Sequence, residues 1–187
     1  MNILVPLNNY EYCTDYINAG AKEFYLGFYD NEWNEKFGTY SDINRMSGYG
    51  KAANKNSFKE ILNIISEIKN KKADIYITFN SSMYSDNELE FIERYFKKLV
   101  NTNVDGVILS CHEAIKIAKN IGLPVVVSTI AGIYNSDIVN FYKEIGAKRV
   151  ILPRDLSILE IESIVGKDKE MEYEIFIMRN GCKFSDS

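Results

Sequence analysis

Short β-branched or aromatic runs alternate with helical segments along this chain, and that alternation restricts its fold more than any other feature. The runs are Ile3 to Leu7, Glu23 to Phe28, Asp74 to Phe79, Gly106 to Ser110, Pro124 to Thr129, Arg149 to Leu152 and Tyr173 to Met178. They read as seven strands. Most are continuously apolar, as in a parallel sheet covered on both faces. Between them, Phe58, Ile61, Leu62, Ile65 and Ile68, and then Leu89, Ile92, Phe96 and Leu99, recur at helical spacing. Ser-x-x-Glu marks helix starts at Ser57/Glu60, Ser85/Glu88, Ser110/Glu113 and Ser157/Glu160, where each side chain satisfies a free backbone N–H of the other residue. Gly20, Gly122, Gly146 and Gly166 stand at helix ends, positions that favour the left-handed conformation.

Alternating β and α elements leave a (β/α) barrel or a doubly wound open sheet. No Gly-x-Gly-x-x-Gly follows the first strand and no phosphate-loop signature occurs; Gly48-Tyr-Gly-Lys51 neither follows a strand nor opens a helix. The expected fold is therefore an α/β barrel in a single domain over residues 1–187, a length that buries a full core. A complete barrel takes eight units and about 250 residues. Seven strands and six helices predict an incomplete barrel, finished by an oligomer partner or by a C-terminal segment of a longer parent; the second is favoured because the last strand is not followed by a helix. Residues 29–57 have weak periodicity and carry Trp33, Phe37, Tyr40 and Tyr49 with Arg45, Lys51 and Lys55, and are expected to be a long binding loop or lid.

Charge narrows the partners. Twenty-six acidic against twenty-two basic side chains give a net charge of -4, which offers no bulk attraction to phosphate backbones or anionic lipid. An RNA partner would need a local basic patch. No apolar run approaches the roughly 20 residues that span a bilayer, and Met1 to Leu7 lacks the basic flank of a signal peptide. Cys13, Cys111 and Cys182, odd in number and far apart, do not form a disulfide framework and suit a reducing, cytoplasmic setting.

Barrel enzymes act at the carboxyl ends of their strands. There this chain places Asn8, Asn80, Ser110, Cys111, Ser128, Thr129, Arg154, Asp155, Arg179 and Cys182. Ser110 and Asp155 are also natural cap residues. Arg154 and Arg179 follow apolar strands, and guanidinium forks grip carboxylate or phosphate in two-pronged geometry. Cys111 falls at the start of a helix, where the dipole is expected to lower its thiol pKa and favour metal ligation. Cys182 lies past the last strand, while Cys13 shares an apolar stripe with Tyr16 and Ile17 and reads as a buried hydrophobe. Two thiols alone hold neither an iron–sulfur cluster nor structural zinc. His112 is the only histidine; as neighbours on a helix, it and Cys111 point about 100° apart, which argues against a Cys-His dyad.

Several stretches, taken together and in order, resemble the U32 peptidase, or collagenase-like peptidase, family: Leu4-Val-Pro6, Ala19-Gly-Ala21 with Tyr25-Leu-Gly27, Thr78-Phe-Asn80, Ser128-Thr129, Gly146-Ala-Lys-Arg-Val-Ile-Leu-Pro-Arg154 with Asp155-Leu-Ser157 and Glu160-Ile161, and Glu174-Ile-Phe176 running on to Cys182. The resemblance implies a TIM-type barrel. It also implies one of two activities: iron–sulfur-dependent hydroxylation of RNA bases or a quinone precursor, or a collagen-degrading peptidase. Cys182 stands where the family's first cluster cysteine is expected, in the departing context Met178-Arg-Asn-Gly-Cys182, and Arg45 and Asn54 stand where the family has an Arg and an Asn. The leading expectation is RNA hydroxylation, with Cys182 on the cluster of a full-length parent, Arg154 and Arg179 holding an anionic cosubstrate or phosphate, and Asn80 and Ser128 orienting it. The alternatives are a peptidase acting on a peptide substrate and a non-catalytic binding or assembly module.

Overall fold

The computed structural model describes residues 1–7, 9–38, 40–44 and 54–178. Seven strands form one sheet: β1 (Leu4–Pro6), β2 (Glu23–Leu26), β3 (Asp74–Phe79), β4 (Gly106–Leu109), β5 (Val125–Val127), β6 (Ala147–Ile151) and β7 (Glu172–Glu174). Each pairs in parallel with the next, in the spatial order β1 to β7. A doubly wound sheet reverses its order at a switch point; sequential parallel order without reversal is barrel winding. The sheet is a half-barrel, as the alternation predicts.

Helices cover its outer side: α1 (Cys13–Asn18), α2 (Asn31–Phe37), α3 (Phe58–Asn70), α4 (Asp86–Leu99), α5 (His112–Ile121), α6 (Ser136–Ile145) and α7 (Ile158–Val165). Among the described residues that is seven α-helices where six were expected. The additional one, α2, occupies part of the 29–57 stretch read as a loop. It is short, but the Asp30 side chain accepts from the Trp33 backbone N–H at its start, and Trp33 and Phe37, one turn apart, pack edge-on against Phe91 of α4. Residues 45–53 of the same stretch, with Arg45, Tyr49 and Lys51, lie outside the described residues.

Three of the four expected capping boxes form, at Ser57/Glu60, Ser85/Glu88 and Ser157/Glu160. The fourth does not, because α5 is capped by Cys111 rather than Ser110. Gly122 and Gly146 end their helices in the left-handed conformation, whereas Gly166 stays right-handed.

Strand alternation divides the core. One face of each strand meets the helices, burying Phe24, Ile75, Ile77, Phe79, Val107, Leu109, Val127 and Val150. The other face lines the barrel interior, where Tyr76, Ile108, Val126 and Ile151 pack with Leu4 and Tyr25. The inner faces of β2 and β6 approach closely enough for an ion pair between Glu23 and Arg149 at 2.5 Å, which measures how far the sheet has curled. At the open edge, Ile158 and Leu159 of α7 and Ile177 and Met178 beyond β7 are exposed. A groove of about 460 Å³ there is lined by Ile161, Val165, Met171 and Tyr173.

Candidate functional site at the barrel mouth

Side chains alternate along a strand, so the residues two and four beyond Tyr76 and two beyond Ile108 and Val126 also face inward. These are Thr78 on β3 and, one residue past the ends of β3, β4 and β5, Asn80, Ser110 and Ser128. The Ser128 backbone N–H donates to the Leu109 carbonyl at 2.7 Å, which sets Ser128 beside Ser110. The Asn80 carboxamide donates to the Ser128 hydroxyl at 3.3 Å. The structure thus joins two of the predicted site residues directly and places Ser110 at the end of the strand between them. Thr78 was not singled out in the sequence; its signal is the period of two that connects it to Asn80.

The carboxyl end of β2 completes this wall. A Cβ on Gly27 would stand 2.1 Å from Asn54 Oδ1, so the buried Asn54 carboxamide lies directly on the Gly27 backbone. Asn44, also buried, donates to the Phe28 carbonyl at 3.2 Å. The tyrosine hydroxyl of Tyr84 donates to the Ile43 carbonyl and accepts from the Ser81 N–H. Residues 43, 44 and 54 are therefore held against β2 and the segment after β3.

Arg154, beyond β6, is partly exposed with its guanidinium 5.0 Å from the Phe176 ring centroid. Its charge reaches Tyr25 inside the barrel: burial and then Glu174 push that phenol up, and Arg154 opposes them. Asp155 is exposed and accepts from the Tyr134 hydroxyl at 3.3 Å, while Thr129 opens a single 3-10 turn, Thr129–Ala131. Asn8, Arg179 and Cys182 lie outside the described residues.

Cys111 corrects an expectation. Its alternation points it away from the mouth, into the layer between sheet and helices, where it is 2% exposed. Burial pushes the thiol pKa up; the N–H groups of Ala114 and Glu113 pull the other way and lose. Its Sγ donates to Glu113 Oε2 at 3.2 Å. His112 Nε2 is 3.1 Å from the Tyr142 hydroxyl, and its ring packs on Phe141 and Tyr142. Cys111 and His112 thus engage separate partners.

Sequential parallel strands wrapped by helices, with polar side chains gathered at the strands' carboxyl ends, define a TIM-type (β/α) half-barrel. The family model of peptidase family U32 matches residues 8–186, and the chain belongs to that family. It is 29% identical over 185 residues to tRNA hydroxylation protein P1 of Bacillus subtilis (strain 168), covering 96% of this chain and 39% of the relative. It is 24% identical over 162 residues to a collagenase of Porphyromonas gingivalis, covering 87% of this chain and 35% of the relative. The chain thus spans well under half the length of these curated relatives. A solved U32 peptidase shares its fold with a TM-score of 0.67 at 12% identity, over 94% of this chain and 67% of that one.

Proposed function

We propose that this chain is the substrate-holding barrel portion of a cytoplasmic U32 protein that hydroxylates a base of RNA, rather than of a peptidase. The observation that carries this reading is the separation of Cys111 from His112. A thiol peptidase sets its thiol against a base, yet among the described residues Cys111 serves Glu113 and His112, the only histidine, meets Tyr142. The mouth, by contrast, is furnished for binding and orientation, with Asn80 bonded to Ser128 and Arg154 at the rim. The similarity to tRNA hydroxylation protein P1 runs over nearly the whole chain and supports the same reading.

In this proposal Arg154 and Arg179 hold an anionic cosubstrate or a phosphate of the RNA, Asn80 and Ser128 orient it, and Cys182 is a ligand of an iron–sulfur cluster. The remaining cluster ligands would come from a longer parent. When bound, the cluster supplies the electron transfer that oxidative chemistry requires. The exposed apolar residues of α7 and beyond β7 receive an eighth strand–helix unit, from that parent or from another copy. Among the described residues, no helix is long and apolar enough to cross a membrane.

Nucleoside mass spectrometry of tRNA from cells lacking the gene tests the activity. A nucleoside carrying one added oxygen should disappear, return with the wild-type gene and fail to return with Arg154→Gln. An unchanged profile, together with collagen cleavage by the purified protein, would favour the peptidase. The open apolar edge favours the assembly-module reading, and that reading expects concentration-dependent association in sedimentation with no change in tRNA.

A further inference from the structure

Three buried polar groups at the mouth have no hydrogen-bond partner: Thr78 Oγ1, Ser110 Oγ and Asn54 Nδ2. Their residues are 8%, 6% and 7% exposed. A buried group left unpaired costs about 1–3 kcal/mol, and such groups are rare enough that each calls for an explanation. All three lie on the inner wall near the carboxyl ends of β2 to β4. Thr78 pairs with Ile108, so Ser110 takes the next inward-facing position along the adjacent strand. Asn54 Oδ1 occupies the position of a Gly27 side chain, and Gly27 follows Leu26, which pairs with Ile77, so the carboxamide stands next to Thr78.

All three groups are able to donate a hydrogen bond, and the Ser128 hydroxyl, which accepts from Asn80, also has its own hydrogen to give. Ser110 directly precedes the cap of α5, a helix of ten residues whose positive end therefore opens beside it. Neutral donors converging at a helix N-terminus suit an oxyanion. We propose that Thr78, Ser110 and Asn54 form a binding site for the oxyanion headgroup of a small carboxylate or phosphate ligand, hydrogen-bonding it on the inner wall. This deepens the proposed function and rests on its placing of the site at the mouth, but requires no catalysis.

The test is calorimetric titration of the chain with malonate and with inorganic phosphate as separate probes, repeated with Thr78→Val and Ser110→Ala. Saturable binding of either probe, weakened about tenfold or more by each substitution, is the expected result; the probe that binds tells a carboxylate from a phosphate source. Thermal unfolding distinguishes a ligand role from a structural one. If the hydroxyls wait for a ligand, both variants keep or raise the Tm of the free chain while losing the probe. No saturable binding of either probe, or binding that both variants retain, overturns the site. An unchanged tRNA profile in cells lacking the gene, with probe binding intact, would remove the hydroxylation reading and leave this site standing.

Discussion

The two ends of the barrel interior treat their polar groups in opposite ways. At the amino-terminal end, charge is paired: Glu23 accepts from Arg149 and from Asn2 at 2.6 Å, and Arg149 also reaches Glu172 at 3.0 Å and Glu174 at 3.7 Å while lying over the Tyr76 ring. At the carboxyl-terminal end, uncharged hydroxyl and carboxamide groups are buried on adjacent strands and three are left without partners. In barrels the bottom face reads as stability and the top as function. The floor here is a charge-paired network that secures the curl of the sheet, although Glu174 Oε2 stays within ion-pair range of Arg149 without a hydrogen bond. The mouth is an open one that a ligand completes.

If that contrast is right, the floor is the costlier place to disturb. Arg149→Met strands Glu23, whose side chain is 3% exposed, with its ion-pair partner gone. Removing one member of a buried pair costs about 3–5 kcal/mol. Denaturant unfolding should register that loss, or the variant should fail to fold. A loss under about 1 kcal/mol, the range of surface pairs, would break the comparison.

Glu174 sharpens it through pH. Burial pushes this carboxyl up to about 7, with Glu23 adding to the rise and Arg149 opposing it. An unfolded glutamate titrates at roughly 4.3, so between these values the folded chain holds the proton and the unfolded chain does not. This contribution to stability is therefore full below about pH 4.3, falls as pH rises toward 7, and levels off above. Glu174→Gln should remove that decline from a denaturation series across the range; an unaltered slope would take Glu174 out of the floor network.

At the mouth, Gly27→Ala places a Cβ 2.1 Å from Asn54 Oδ1 and should cost about 1–3 kcal/mol, typical of overpacking. Adding Asn54→Ala should recover most of the loss, since the clash is then gone. If the two losses simply add, Asn54 does not rest on Gly27 in solution.

Much of this arrangement is legible in the sequence. Apolar runs and helical spacing locate all seven strands and six helices, because sheet and helix periods differ so plainly. Helix α2 escapes, since seven residues with two buried aromatics are too short to display a period; the Asp30 cap and the spacing of Trp33 and Phe37 were its only local signals. At the mouth, Asn80 and Ser128 are visible as polar residues closing apolar strands. Asn54 is different. Its place on Gly27 depends on a chain reversal between residues distant in sequence, which no local pattern encodes. Cys111 misleads because the helix dipole acts on it as expected, and burial, a tertiary property, outweighs the dipole.

The Ser-x-x-Glu motif provides the finest comparison, because one local pattern has two fates. Ser157 accepts from the Glu160 N–H at 3.3 Å, and Glu160 accepts from the Ser157 N–H at 2.8 Å. Ser110 stands in the same relation to Glu113, yet its hydroxyl is buried and unpartnered while Glu113 accepts from Cys111. Ser157→Ala should therefore lose about 1 kcal/mol, the usual worth of a cap. Ser110→Ala should lose nothing or gain slightly, because it removes a buried group that has no bond to lose. Parallel denaturation of the two variants reads the difference directly. Equal losses would mean that Ser110 is an ordinary cap and that the mouth is as closed as the floor; unequal losses in the stated direction would show a hydroxyl kept at the mouth against the interest of stability.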